Sequence, residues 1–366
     1  MEYSLNDKAI IWLNLFDFLT IEKRHRILQF FDEPKDIFSS FKNHYEVFSK
    51  IMTPEHYTKM CCALNLNFVD NEIINLDKSK IQVLTYLSPL YPQDFVNYPT
   101  YPLALYCKGD VSLIKDFSIA VVGTRKVSKY GAFATEKIVT GLAQAGVTIV
   151  SGMATGVDTI AHTIALKNGA KTIAVLGSGF DHIFPKSNFE LYQKICENGL
   201  VITEYVTSMK PLAYNFPVRN RIIAMLSKGV LMTEAGLKSG AIYTINYGID
   251  YGKEIFIVPG NIDSFSSQGC NQLLKRAQTA LTTCAEDILD FFHIEKISHQ
   301  KPKQTQISME QKIVLDVIGN NELSFDEIVA KTKLDIKTLI RLLTTLEISG
   351  LIKKSAGNFY SRIVKD

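Results

Sequence analysis

The sequence predicts an α/β protein: a doubly wound, mostly parallel sheet, with a helical domain before it and a winged helix after it. Three observations carry this. Six short apolar runs alternate with helical stretches: "SIAVVG" (118–123), "VTIVS" (147–151), "TIAVLG" (172–177), "LVITE" (200–204), "VLMTEA" (230–235) and "IFIVPG" (255–260). Their apolar residues are continuous, as in strands buried on both faces of a parallel sheet. Near the carboxyl end, three helical segments precede a hairpin, the order of a winged helix.

Residues 1–80 read as short helices. "DKAIIWLNLFDFL" spaces Ile10, Leu13, Leu15 and Phe16 at helical intervals, and Pro34 and Pro54 punctuate the later segments. Residues 82–109 hold four prolines and many tyrosines, which predicts an extended strap. It opens the central domain, 81–293. Residues 294–306, "IEKISHQKPKQTQ", are a polar linker. Residues 307–366 form the last domain, with capping-box spacings at Ser308/Gln311 and Ser324/Glu327. Its third helix, "IKTLIRLLTTLEIS", carries only Lys337 and Arg341 as cations. The domain has nine Lys/Arg against eight Asp/Glu, too neutral a balance for a dedicated duplex reader.

Composition narrows the function. A 366-residue chain that is 46% apolar folds around real cores. A net charge of +3 excludes a polybasic binder, so any anion site is local. Six cysteines without C-x-x-C spacing suggest neither a zinc ribbon nor a disulfide frame, and reduced thiols fit a cytoplasmic protein. The opening "MEYSLNDKAI" lacks a signal peptide's basic region, and no apolar run is long enough for a membrane span.

In a doubly wound sheet the ligand site lies at the carboxyl ends of the strands. There the sequence gathers small and basic residues. "GTRKVSKYG" (123–131) supplies Gly123, Thr124, Arg125, Lys126 and Ser128, with a helix start after Ser128 whose free N–H groups favour an anion. "GSGFDHIFPKSN" (177–188) supplies Lys186. "NFPVRNRIIA" (215–224) supplies Arg219, Asn220 and Arg221. Two arginines two residues apart point different ways, so one is expected to pair with a buried carboxylate, Asp158 or Glu204, while the other faces the rim. Tyr130, Phe180, Phe184 and Phe216 lie in the same loops, as core anchors or as planar partners for bases. Asp158 and His162 stand four apart on a helix, read as a helix-start carboxylate and a packed histidine. No G-x-G-x-x-G follows the first strand and no G-x-x-x-x-G-K-[ST] occurs, which disfavours nicotinamide binding and P-loop chemistry.

The motifs "VVGTRKVSKYG", "VSGMATGVDTIAH", "TIAVLGSGFDHIFP", "FPVRNRIIAMLS", "EAGLKSG" and "VPGNIDSFSSQGCNQLL", in that order, resemble the DprA/Smf family. The resemblance is dense over residues 85–290. It implies a Rossmann-like central domain, a SAM-like helical amino-terminal domain and a winged helix. It also implies single-stranded DNA binding without strong sequence preference, protection of incoming DNA in natural transformation, homodimerisation and loading of the RecA recombinase. No catalysis, cofactor or metal is implied. The family's DNA contacts fall on Arg125 and Lys186, with Arg219, Asn220 and Arg221 near the same surface. Phe184 replaces a usual tyrosine and Arg276 a usual glycine near the segment used for dimers. The competing readings are a phosphoribohydrolase-like enzyme and a transcription regulator. The former's P-G-G-x-G-T turn is missing here, where "TEAGLKSGAI" stands.

Overall fold

The computed structural model describes residues 2–276, 278–294, 308–319, 321–348, 351–355 and 357–362. Contacts divide the chain into two units, 1–297 and 298–366. Residues 295–306 of the expected linker lie outside the described part.

The first unit begins with helices α1 (Leu5–Asn14), α2 (Ile21–Leu28), α3 (Ile37–Ser40), α4 (Tyr45–Phe48), α5 (Pro54–Cys62) and α6 (Leu66–Lys78). Ser4 and Asp7 form a capping box on α1. The buried Trp12 meets Phe16 and Phe41 edge-on in the bundle core. That core is continuous with the sheet domain through Tyr106, Val201 and Ile195.

The sheet has strands β1 (Gln82–Thr85), β2 (Ala104–Gly109), β3 (Ser118–Val122), β4 (Thr148–Ser151), β5 (Thr172–Val175), β6 (Leu200–Thr203), β7 (Gly229–Met232), β8 (Glu254–Ile257) and β9 (Ala280–Leu281). Their order is β1-β2-β6-β5-β4-β3-β7-β8-β9. All six expected strands are present, and they pair in parallel. The residues read as a strap differ from expectation. Their two ends form β1 and β2, which add to the sheet antiparallel at β6. The prolines occupy the connection between the strands, where no ladder hydrogen bond is lost.

Helices α7 (Lys129–Gln144), α8 (Val157–Lys167), α9 (Phe189–Asn198), α10 (Asn215–Leu226), α11 (Ala241–Asp250), α12 (Gln268–Leu273) and α13 (Glu286–Phe291) cover the sheet. Along β3, Ile119 and Val121 join the core under α7 and α8. Ala120 and Val122 join the core under α10 and α11. This two-sided burial is why the strand runs are apolar without a break. The strand order reverses at β3, with β4 on one side and β7 on the other, so a crevice opens between their carboxyl ends.

The second unit holds α14 (Met309–Ile318), α15 (Phe325–Thr332) and α16 (Ile336–Ile348), with β10 (Leu323–Ser324), β11 (Ile352–Ser355) and β12 (Phe359–Arg362). Both expected capping boxes are formed. The hairpin gains a short third strand, β10, in the order β10-β12-β11.

Among the described residues, no helix is long and apolar enough to cross a membrane.

Candidate nucleic-acid interface

The crevice is a cleft of about 830 Å³ lined by the β3 exit, α10, the start of α11 and the loop after β8. The β3 exit is held by backbone contacts. Thr124 donates its N–H to the Glu234 carbonyl and accepts from Val157. Its hydroxyl accepts from the Lys126 N–H. A side chain at Gly123 would collide with Val157 and the Glu234 carbonyl, so the tight exit needs glycine there. The turn thereby presents Arg125 and Lys126 to solvent.

The helix start after Ser128 is already served. Ser128 caps α7 by accepting from the Gly131 N–H. The buried Glu234 carboxylate accepts from the Ser128 N–H (2.8 Å), the Ser128 hydroxyl (2.6 Å) and the Ser266 hydroxyl (2.7 Å). A Cβ on Gly131 would meet that carboxylate at 2.4 Å. The anion expected at this helix end is therefore the protein's own, and Ser128 is a structural tie rather than a cleft donor. Sequence reasoning passed over Glu234. Its signal is a carboxylate ending an otherwise apolar strand run.

The "RNR" stretch lies inside α10, and its two arginines leave on opposite sides, about 200° apart at 3.6 residues per turn. Both are buried, Arg219 at 4% exposure and Arg221 at 2%. Arg221 forms an ion pair with the buried Glu204 at the end of β6. The Glu204 carbonyl accepts from the Asn14 amide, and Arg24 donates to the Asn14 and Phe16 carbonyls. Arg221 thus fastens α10 beside the amino-terminal bundle. It does not line the cleft, which corrects its expected place among the DNA-facing residues.

Arg219 does line the cleft, but as its floor. Its guanidinium donates to the carbonyls of Gly152 and Val175, and its Nε to Asn220 Oδ1. Asn220 in turn donates to the Gly240 carbonyl at the opposite lip. Burial pushes the Arg219 pKa down to about 10, partly offset by the Asp158 charge, so the group stays cationic at neutral pH. Burial raises Asp158 above the usual carboxylate range, against the lowering effect of Arg219. The expected division holds for Arg221. For Arg219, rim and scaffold duties coincide.

Beneath them, His162 is wholly buried. The Thr172 hydroxyl donates to the Ile149 carbonyl, so it accepts from His162 Nδ1. Burial first, and Arg219 second, push the imidazole pKa down to about 3.

Aromatic residues separate into two groups. Phe180 belongs to the core and offers no face to a base, which removes it as a planar partner. Tyr130 is tied through its hydroxyl to the Pro259 carbonyl. Phe216 sits on the cleft wall with the guanidiniums of Arg125 and Arg219 at 5.6 and 5.9 Å from its ring centre. Phe184, 45% exposed, packs on Phe216 at 5.7 Å. Lys186, exposed, follows two residues later, outside the cleft proper but at the end of this aromatic pair. Lys238, Ser239 and Phe265 complete the lip, and sequence reasoning did not single them out.

Fold and cleft define a Rossmann-like α/β protein whose switch-point crevice is lined by cations and edged by aromatic rings. Residues 82–293 match the family model for DNA recombination-mediator protein A, and residues 298–358 match that for the DprA winged helix domain. The chain belongs to the DprA/Smf family. It is 32% identical to Protein Smf of Escherichia coli K12 over 300 residues, 80% of each chain. It is 39% identical to the DNA processing protein DprA of Streptococcus pneumoniae R6, over 61% of this chain and 79% of that one. The X-ray structure of S. pneumoniae DprA superposes with a TM-score of 0.60 at 31% identity, covering 79% of this chain and 98% of that one. DNA processing protein A of Helicobacter pylori, a protein with a single-stranded DNA binding mode, superposes with a TM-score of 0.53 at 31% identity, over 58% of this chain and 96% of that one.

Proposed function

We propose that this chain binds single-stranded DNA in the switch-point cleft, protects it, and loads the RecA recombinase onto it as a homodimer in the cytoplasm, without catalysing a reaction of its own. The observation that carries the DNA reading is the run Arg125–Phe216–Phe184–Lys186. Cations for phosphates flank there a pair of rings for bases, the combination a single strand needs. The likeness to the H. pylori protein supports the same reading. Homodimerisation is supported by the loop after β8, where Ile262 and Phe265 are 93% and 77% exposed. RecA loading and a role in transformation rest on the family resemblance. Binding rather than catalysis is supported by the state of Asp158 and His162, both buried and held by protein partners.

The test is titration of the purified chain with labelled single-stranded DNA, blunt duplex and mononucleotides across salt concentrations. The expected result is preference for the single strand, with log K falling against log salt at a slope of about −3 for about four neutralised phosphates. Equal affinity for duplex at every salt concentration, or tighter binding of a mononucleotide followed by its turnover, overturns it.

A further inference from the structure

Beside the cleft runs a second concavity, a groove of about 660 Å³ between α8 and α9. Thr159, Thr163 and Lys167 line it from α8. Spaced four apart, they form one stripe along about 12 Å of helix. Lys194 lines it from α9, and Lys171 closes its far end. Among the described residues, one lining acid, Glu190, stands against the three lysines.

Not all three lysines are free. Lys171 donates to the Asn198 carbonyl at the end of α9, which explains it structurally. Lys167, in the last turn of α8, also suits that helix end electrostatically. Lys194 lies before the last turn of α9, so the helix end does not account for it. Lys167 and Lys194 are exposed, and neither has an ion-pair partner among the described residues.

The near end of the groove is formed by Ser187 and Asn188, in the same turn as Lys186. Lys186 therefore stands at the junction between the aromatic platform and the groove. Among the described residues no aromatic ring lines the groove, and the Thr159 hydroxyl is held by Ala154 and Asn188, so the groove offers charge and the hydroxyls of Thr163 and Ser187 but no stacking surface.

We propose that this groove is a second subsite for the same DNA strand, one that takes its phosphodiester backbone and not its bases. The strand leaves Phe184, passes Lys186 and lays its phosphates between Lys167 and Lys194. The proposal rests on the DNA reading above.

The test compares an oligonucleotide of about 4 nucleotides, which fills the cleft alone, with one of about 16, the range of site sizes for single-strand binders. The unmodified chain is measured beside the double variant Lys167→Gln/Lys194→Gln and the single variant Arg125→Glu. The double variant is expected to bind the short oligonucleotide as the unmodified chain does. It loses about tenfold in affinity for the long one, and its salt slope becomes shallower by about 1.4 for two lost phosphate contacts. Unchanged affinity and slope for the long oligonucleotide overturn the proposal alone. So does equal loss for both lengths, which places the two lysines in the cleft's own support. If the unmodified chain binds neither oligonucleotide, or Arg125→Glu binds both normally, the cleft reading fails and the subsite falls with it.

Discussion

Helix α10 has two flanks, and each buries an arginine. On the flank toward the amino-terminal bundle, Arg221 meets a carboxylate, Glu204, within a web that includes Asn14 and Arg24. On the cleft flank, Arg219 meets carbonyl oxygens and the ring of Phe216, with Asp158 as its nearest acid influence. Equal burial conceals unequal duties. A full charge answered by a full charge locks the fold. A full charge answered mainly by dipoles keeps a positive potential at the floor of an open cleft.

The largest expected effect breaks the first flank. Arg221→Ala leaves Glu204 buried without its partner and should cost about 3–5 kcal/mol of unfolding free energy in urea. A loss within experimental error would mean that the ion pair is not the lock.

Arg219→Ala sharpens the contrast. It strands the Gly152 and Val175 carbonyls and removes the cation under the cleft, for a loss of about 2–3 kcal/mol. Unlike Arg221→Ala, it should also weaken binding of single-stranded DNA under conditions where the variant is fully folded. If the two variants lose stability and affinity in the same proportion, the flanks are equivalent and the comparison collapses.

Arg125→Glu isolates function from fold, because Arg125 is exposed on its turn. Affinity for the single strand should drop by about tenfold or more, with an unchanged melting temperature. Lys186→Glu should behave alike. Wild-type affinity in Lys186→Glu removes that residue from the interface, and in Arg125→Glu it overturns the cleft reading.

The smallest effect is acid sensitivity beneath the cleft flank. The folded His162 pKa, about 3, lies below its ordinary 6.5. Its contribution to stability is therefore complete above pH 6.5 and is lost as the pH falls toward 3. Between pH 6.5 and 5.5 the loss should be about 1 kcal/mol. His162→Asn should flatten that limb of the unfolding profile, and an unchanged limb would assign the sensitivity elsewhere.

Much of this was readable in the chain itself. Continuous apolar runs from Ser118 to Gly260 dictate strands buried on both faces, because only a covered parallel sheet hides such residues. The helix period alone separates Arg219 from Arg221, since two steps of 3.6-residue geometry turn a side chain to the far side. Glycine at position 123 and cations at 125 and 126 mark the strand exit. What the tertiary structure decided is who answers whom. Asp158 and Glu204 are equivalent candidates in one dimension, and only the packing of α10 gives Glu204 to Arg221. The anion at the α7 start proved to be Glu234, over a hundred residues downstream, because β7 lies next to β3 in the sheet. The strap became two antiparallel strands for a similar reason. A strand needs a partner to satisfy its backbone, and the free edge of β6 supplied one to residues whose prolines had suggested no pairing. Local sequence sets what each residue can do; the contacts between distant segments select which of those capacities is used.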